Sequence, residues 1–228
     1  RQTCISFCII NILIITAMKK YIISISAAVC LAFSSCSDFL DVKPKTEVPT
    51  DDLFKKESGF EDALNGCYIK MNSKNLYGKF LTLSGVDFLA RYYDNTTEGT
   101  YEYALSNFNW NNSYVKGQIK NTYNEFYNVI LQANDVIMHI DTETGKNAVK
   151  SEKKRNLLKG EALAMRAFLH FDILRLFGQL PKNPTIQVSL PYSEVTGIED
   201  RPLYGFDEYV QKLLKDLSDA EELLSDDP

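Results

Sequence analysis

Residues 151–177 constrain this chain more than any other stretch. They carry Leu157, Leu158, Leu163, Met165, Phe168, Leu169, Phe171, Ile173, Leu174, Leu176 and Phe177, at spacings that fit a helix with apolar residues on more than one side. Such a helix persists in water only when other elements cover it, so it is expected to be the central, most buried rod of a helical assembly. Gly178 and Pro181 follow it with the stop signals of a helix end.

The flanking sequence supplies amphipathic partners. Phe60, Leu64, Cys67, Tyr68 and Met71 recur at helical spacing behind Ser58-Gly59-Phe60-Glu61, which has the S-x-x-E form of a capping box. Cys67 on that stripe reads as a packed small hydrophobe. A shorter helix is predicted over 79–90. A long one over 119–140 carries Ile119, Tyr123, Phe126, Ile130, Ala133, Ile137 and Ile140, and another over 206–224 carries Phe206, Val210, Leu213, Leu217, Ala220 and Leu224. Residues 185–190 read as a short strand. The expected fold class is all-α. The 206–224 stripe needs a surface to lie against, and stacked helix pairs need a polar terminal cap that is missing here. We therefore expect truncation at the C-terminus, with the complete protein continuing past Pro228.

With 45% hydrophobic and 24% charged residues, the 228-residue chain has material for one sizeable core. Its net charge is −5, and Arg1, Lys19 and Lys20 precede Ser35 while no acid does. Without them 22 basic residues face 30 acidic ones, a balance of −8 that gives no footprint for a phosphate backbone, so no nucleic acid is expected as partner.

Residues 18–35 have the order of a secretory signal peptide: Met18, the Lys19-Lys20 pair, an apolar run, then small residues before Cys36. The run of about 13 residues is short of the roughly 20 needed to span a bilayer, which favours a cleaved lipoprotein signal over an uncleaved membrane helix. Cys36 is then the lipidated first residue of the mature chain. Residues 1–17 read as an upstream extension translated in frame, not as native protein. Residues 36–57, with Pro44, Pro49 and many charges, form the lipidated N-terminus and a tether ending in a turn at 50–54, and 58–228 form the helical domain. Cys4, Cys8 and Cys30 go with the leader, so Cys67 is left without a disulfide partner.

Several stretches in fixed order resemble the N-terminal part of SusD/RagB-like nutrient-uptake outer-membrane lipoproteins. They are Cys36-Ser37-Asp38-Phe39-Leu40-Asp41 with Lys43-Pro44, Gly59 through Gly66 with Tyr68, Tyr127 through Ala133-Asn134, Gly160 through Phe168 continuing to Arg175-Leu176-Phe177-Gly178, and Asp216-Leu217 with Ala220-Glu221. The resemblance implies an all-α fold of tetratricopeptide-like helix pairs, held at the cell outer membrane by a lipid anchor and exposed at the surface. It further implies binding of a glycan or another polymeric nutrient and its delivery to a SusC-like TonB-dependent transporter, without catalysis and without a cofactor.

Glu161, Arg166 and His170 share the central helix, but Arg166 and His170 are i,i+4 neighbours while Glu161 points elsewhere, so no shared reaction centre forms. The small Ala162, Ala164 and Ala167 suit close helix approach, with Met165 and Phe168 filling the core. His139, near a helix end, suits the dipole there. The 141–152 connector places acids at three positions of a calcium-loop template but Gly145 and Lys146 where a ligand and a glycine belong, so it reads as a solvated connector. No His or Cys cluster suggests a metal.

Residues 88–114 hold eight aromatics and five asparagines. Sugar rings stack their C–H faces on flat aromatic platforms, and their hydroxyls need amide or carboxylate partners. Tyr92, Tyr93, Asp94, Trp110 and Asn111 supply both and are the candidate ligand-binding residues. The other reading folds these aromatics back onto the helices as a core flap. Beside glycan capture stands an alternative function, a helical-repeat scaffold that binds only protein partners.

Overall fold

The structure, a computed structural model, describes residues 50–93, 96–179, 187–197 and 200–225. The leader, Cys36 and the tether up to residue 49 lie outside the described residues, as do Asp94 and the span 180–186 with Pro181 and the start of the expected strand. In chain order the helices are α1 (Thr50–Leu53), α2 (Glu57–Met71), α3 (Gly85–Leu89), α4 (Tyr101–Ser106), α5 (Ser113–Ile140), α6 (Glu143–Ala148), α7 (Glu152–Phe177) and α8 (Phe206–Leu224). Between α7 and α8, β1 (Leu190–Pro191) and β2 (Leu203–Tyr204) pair antiparallel, with Leu190 opposite Tyr204. The described chain is all-α apart from this two-rung ladder.

Local chemistry sets the boundaries. Ser151 caps α7 by accepting the Lys154 N–H, as its position before the apolar run predicts. Asn112 does the same for α5, accepting from Tyr114 and Val115 N–H, and so starts that helix well before the expected Ile119. Two expectations fail. The Ser58–Glu61 capping box does not form: α2 begins two residues earlier, at Glu57 behind Lys56 with no side-chain cap, and Leu53 and Phe54 pack on its first turn instead. The helix expected over 79–90 is reduced to α3, and 72–83 runs as successive turns. The calcium-like connector winds into α6, capped by Thr142, with Asp141 paired to Lys159.

α7 is the buried centre. It packs against both α5 and α8, while α2 lies on α5. Ala162 and Ala167 are fully buried between the helices, and a Cβ on Gly160 would stand 2.8 Å from Leu224 Cγ, so the glycine lets α8 close onto α7. Cys67 is buried, and burial pushes its thiol up to about 11, which leaves it an inert core residue. Phe168 does not fill the core as expected. It is 47% exposed and rests its ring against Tyr77 at 5.4 Å.

The larger departure is in α8. Its buried positions are Tyr209, Leu213, Asp216 and Ala220, and Leu217, assigned to the apolar stripe, is 43% exposed. The helix is rotated because a carboxylate takes the inner place. Arg166 of α7 donates from Nε and Nη2 to the two Asp216 oxygens at 2.7 and 2.6 Å, and from Nη1 to Asn134 Oδ1 of α5 at 2.9 Å. Asp216 also accepts from Tyr192 at 2.6 Å, and burial together with that charge raises the Tyr192 phenol so that it stays a donor. Asn134 Nδ2 donates to the Ser193 and Val195 carbonyls.

His170 extends the network by one turn. Its Nε2 accepts from Ser193 N–H at 3.2 Å, which fixes the neutral ring with its proton on Nδ1, 2.7 Å from the Tyr209 oxygen; Tyr209 in turn donates to the His170 carbonyl. Burial first, and the Arg166 charge second, lower its pKa to about 3.

Removing one partner of a buried ion pair leaves the other uncompensated, which costs about 3–5 kcal/mol. Asp216→Ala is expected to lower the unfolding free energy measured by urea titration by about that much, whereas Leu217→Ala on the next position lowers it by under about 1 kcal/mol. For His170 the unfolded chain binds a proton below its ordinary 6.5 while the folded chain does not until about 3. Stability therefore falls with pH across that window, by up to about 1.4 kcal/mol per unit. Urea unfolding at pH 7 and pH 5 should show a smaller drop in His170→Gln than in the parent chain.

Candidate functional site

The titratable groups of the core offer no reaction centre. Arg166, Asp216 and His170 are buried, Arg166 and Asp216 bonded to each other and His170 to Ser193 and Tyr209. Glu161 faces away, as its position on α7 predicts, and accepts from Tyr68 at 2.7 Å. Among the described residues no group of His, Cys, Asp and Glu is arranged to hold a metal. His139 stacks on Phe54 at 4.4 Å, with Nδ1 2.7 Å from the Asp135 carbonyl, in a structural place.

The aromatic segment divides between the two readings of it. Phe88 and Tyr101 pack onto a small second core made by Phe80, Ala104, Leu105 and Val115. Tyr92, Tyr93, Phe108, Trp110 and Tyr114 stay at the surface, Tyr92 at 78% exposure and Trp110 at 49%. Tyr93 leans on Phe88 at 5.0 Å. Trp110 lies in the turn that leads into α5, its ring 5.9 Å from that of Phe108, and Asn111 beside it is exposed.

Arg91 ties the two parts together. Its Nε donates to the Ser106 carbonyl at 3.0 Å, and its guanidinium stands 5.3 Å from the Phe108 ring centre. Arg91 and Phe108 both hold left-handed backbone, with φ of 55° and 54°. Such strain costs roughly 1–2 kcal/mol for a residue with a Cβ, and it is held where surrounding contacts over-determine a surface feature.

Trp110 also forms one side of a groove of about 440 Å³ with Val115, Lys116, Ile119, Lys120 and Tyr123 of α5 and Phe177 at the end of α7. Tyr123 meets Phe177 edge to face at 5.1 Å. Of the candidate residues, then, Trp110 lines the groove, Tyr92 and Tyr93 stand off it and connect through Arg91 and Phe108, Asn111 adjoins Trp110, and Asp94 is outside the described residues. Lys116 and Lys120 are not singled out in the sequence, and Tyr123 and Phe177 read there as core. Their signal was present: Lys116, Ile119, Lys120 and Tyr123 fall at i, i+3, i+4 and i+7, one face of a helix mixing cations with apolar side chains.

A second concavity of about 520 Å³ lies between α2, α7 and the end of α8, lined by Tyr68, Met71, Leu157, Glu161, Ala164, Met165, Phe168 and Leu224. Tyr68 and Glu161 already satisfy each other there, so what it adds is mostly aliphatic surface. The Trp110 groove combines a flat aromatic face with available cations and is the better candidate for a polar ligand with apolar faces.

Comparison with known proteins agrees with this architecture. The model of a SusD-like family, described as "Starch-binding associating with outer membrane", matches residues 38–228. The "SusD-like protein P2" of Formosa agariphila is 26% identical over 211 residues, which is 92% of this chain and 39% of that protein. The "SusD-like protein P25" of the same organism is 27% identical over 160 residues, 67% of this chain and 30% of that protein. The chain thus spans well under half the length of these curated relatives.

Proposed function

This chain belongs to the SusD-like family, and from that premise we propose that it is part of a lipoprotein of the outer membrane that binds a glycan or another polymeric nutrient at the cell surface. It delivers the ligand to a SusC-like TonB-dependent transporter and breaks no bond in it. Cys36 carries the lipid, and the several acyl chains of a bacterial lipoprotein hold it durably where one chain holds only reversibly.

The observation that carries the reading is Trp110, a half-exposed indole on a groove whose other walls are Val115, Ile119, Tyr123 and Phe177 with the two lysines of α5. An indole face offers stacking to the C–H side of a sugar, and the asparagines around it offer donors and acceptors for hydroxyls. Tyr92, Tyr93, Asp94 and Asn111 extend this surface. A binding role also fits the way the strong acids and bases are used, since Arg166, Asp216 and His170 line neither groove.

Titration of the purified, lipid-free chain with a polysaccharide panel that includes starch oligosaccharides is expected to give saturable binding. Trp110→Ala should weaken it about tenfold, the equivalent of one lost stacking contact. Silence across the panel alongside co-purification of a transporter would favour the protein-only scaffold. Metabolic labelling with a fatty acid should mark the chain and lose the mark in Cys36→Ser, which should then fractionate away from the outer membrane.

A further inference from the structure

The groove that holds Trp110 has an electrostatic character that sugar stacking does not require. Residues 103–124 contain no Asp or Glu, in a chain where acids outnumber bases, and their only charges are Lys116 and Lys120. Both line the groove. They stand one turn apart, about 6 Å along the helix axis, and both are exposed.

Folding gives no reason for this placement. Like charges at i,i+4 repel, and cations near a helix N-terminus oppose its dipole. Three lysines at other helix contacts do hold a carboxylate: Lys154 holds Glu61, Lys159 holds Asp141 and Lys212 holds Glu194. Among the described residues Lys116 and Lys120 make no ion pair. The nearest acid along α5, Glu125, is engaged by the side chains of Ser73 and Asn75. Two uncompensated ammonium groups beside an aromatic wall complement a ligand that has both a flat apolar face and a negative charge.

We propose that the Trp110 groove takes an anionic saccharide, one bearing carboxylate or sulfate ester groups, with Lys116 and Lys120 facing the charge and Trp110 and Tyr123 the ring. This rests on the saccharide-capture reading of the same groove and narrows its substrate class. Lysine suits the role because its compact ammonium with three rotatable donors meets either anion without a fixed fork geometry.

The test uses the chain with two matched probe pairs: oligogalacturonate against its fully methyl-esterified form, and a galactan oligosaccharide with and without sulfate esters. At low salt at least one charged member is expected to bind about tenfold tighter than its neutral twin, with the advantage shrinking as ionic strength rises. The pair that discriminates identifies carboxylate or sulfate as the source of the charge. Lys116→Gln combined with Lys120→Gln should erase the difference between charged and neutral members without lowering the urea midpoint. Equal affinity within both pairs, or a preference that survives the double substitution, overturns the charge assignment and leaves saccharide capture standing. Failure of all four probes overturns both.

Discussion

One buried charge organises this chain. Arg166 sits at the centre of α7 with 5% of its surface exposed, and a guanidinium placed there must be met by a carboxylate and its remaining donors by other acceptors. Asp216 meets it from α8 and Asn134 from α5, so the three long helices are registered against one another at a single point. Tyr192 and the carbonyls of Ser193 and Val195 bring the segment after β1 to the same place. What faces outward follows from what is fixed inward. Once Asp216 turns in, Leu217 turns out, and with α5 and α7 held at Asn134 and Arg166, Tyr123 meets Phe177 to close the groove under Trp110.

The stretches that carry the family resemblance are largely those that build this interior. Asn134, Gly160, Arg166 and Asp216 all belong to them, and each acts in helix contact and none in the candidate groove. A buried ion pair and close helix contacts tolerate few replacements, whereas the surface between α3 and α5 runs largely through turns on either side of the short helix α4.

Much of the helical plan was legible because its signals are local. The 151–177 pattern with Ser151 ahead of it and Gly178 behind gives α7, and 206–224 gives α8 to the residue. Local signals also misled where tertiary contact decides. A motif of the capping-box form at Ser58 yields to the packing of Phe54 on α2, and the reading of Leu217 as core assumed that an aspartate points to water. Nothing in the sequence near Asp216 announces a partner fifty positions earlier. The candidate site was half legible for the same reason. The aromatic density of 88–114 located Trp110, but the other wall comes from Tyr123 and Phe177, which read as core and meet Trp110 only in the folded chain.

Trp110 is the single tryptophan of the chain, so its emission reports on the groove alone. Addition of a saccharide that the chain binds should shift that emission to shorter wavelength and saturate with the concentration dependence of binding seen by calorimetry, as the half-exposed indole is covered. Binding that saturates in the calorimeter while the emission stays unchanged would place the ligand elsewhere and contradict the account.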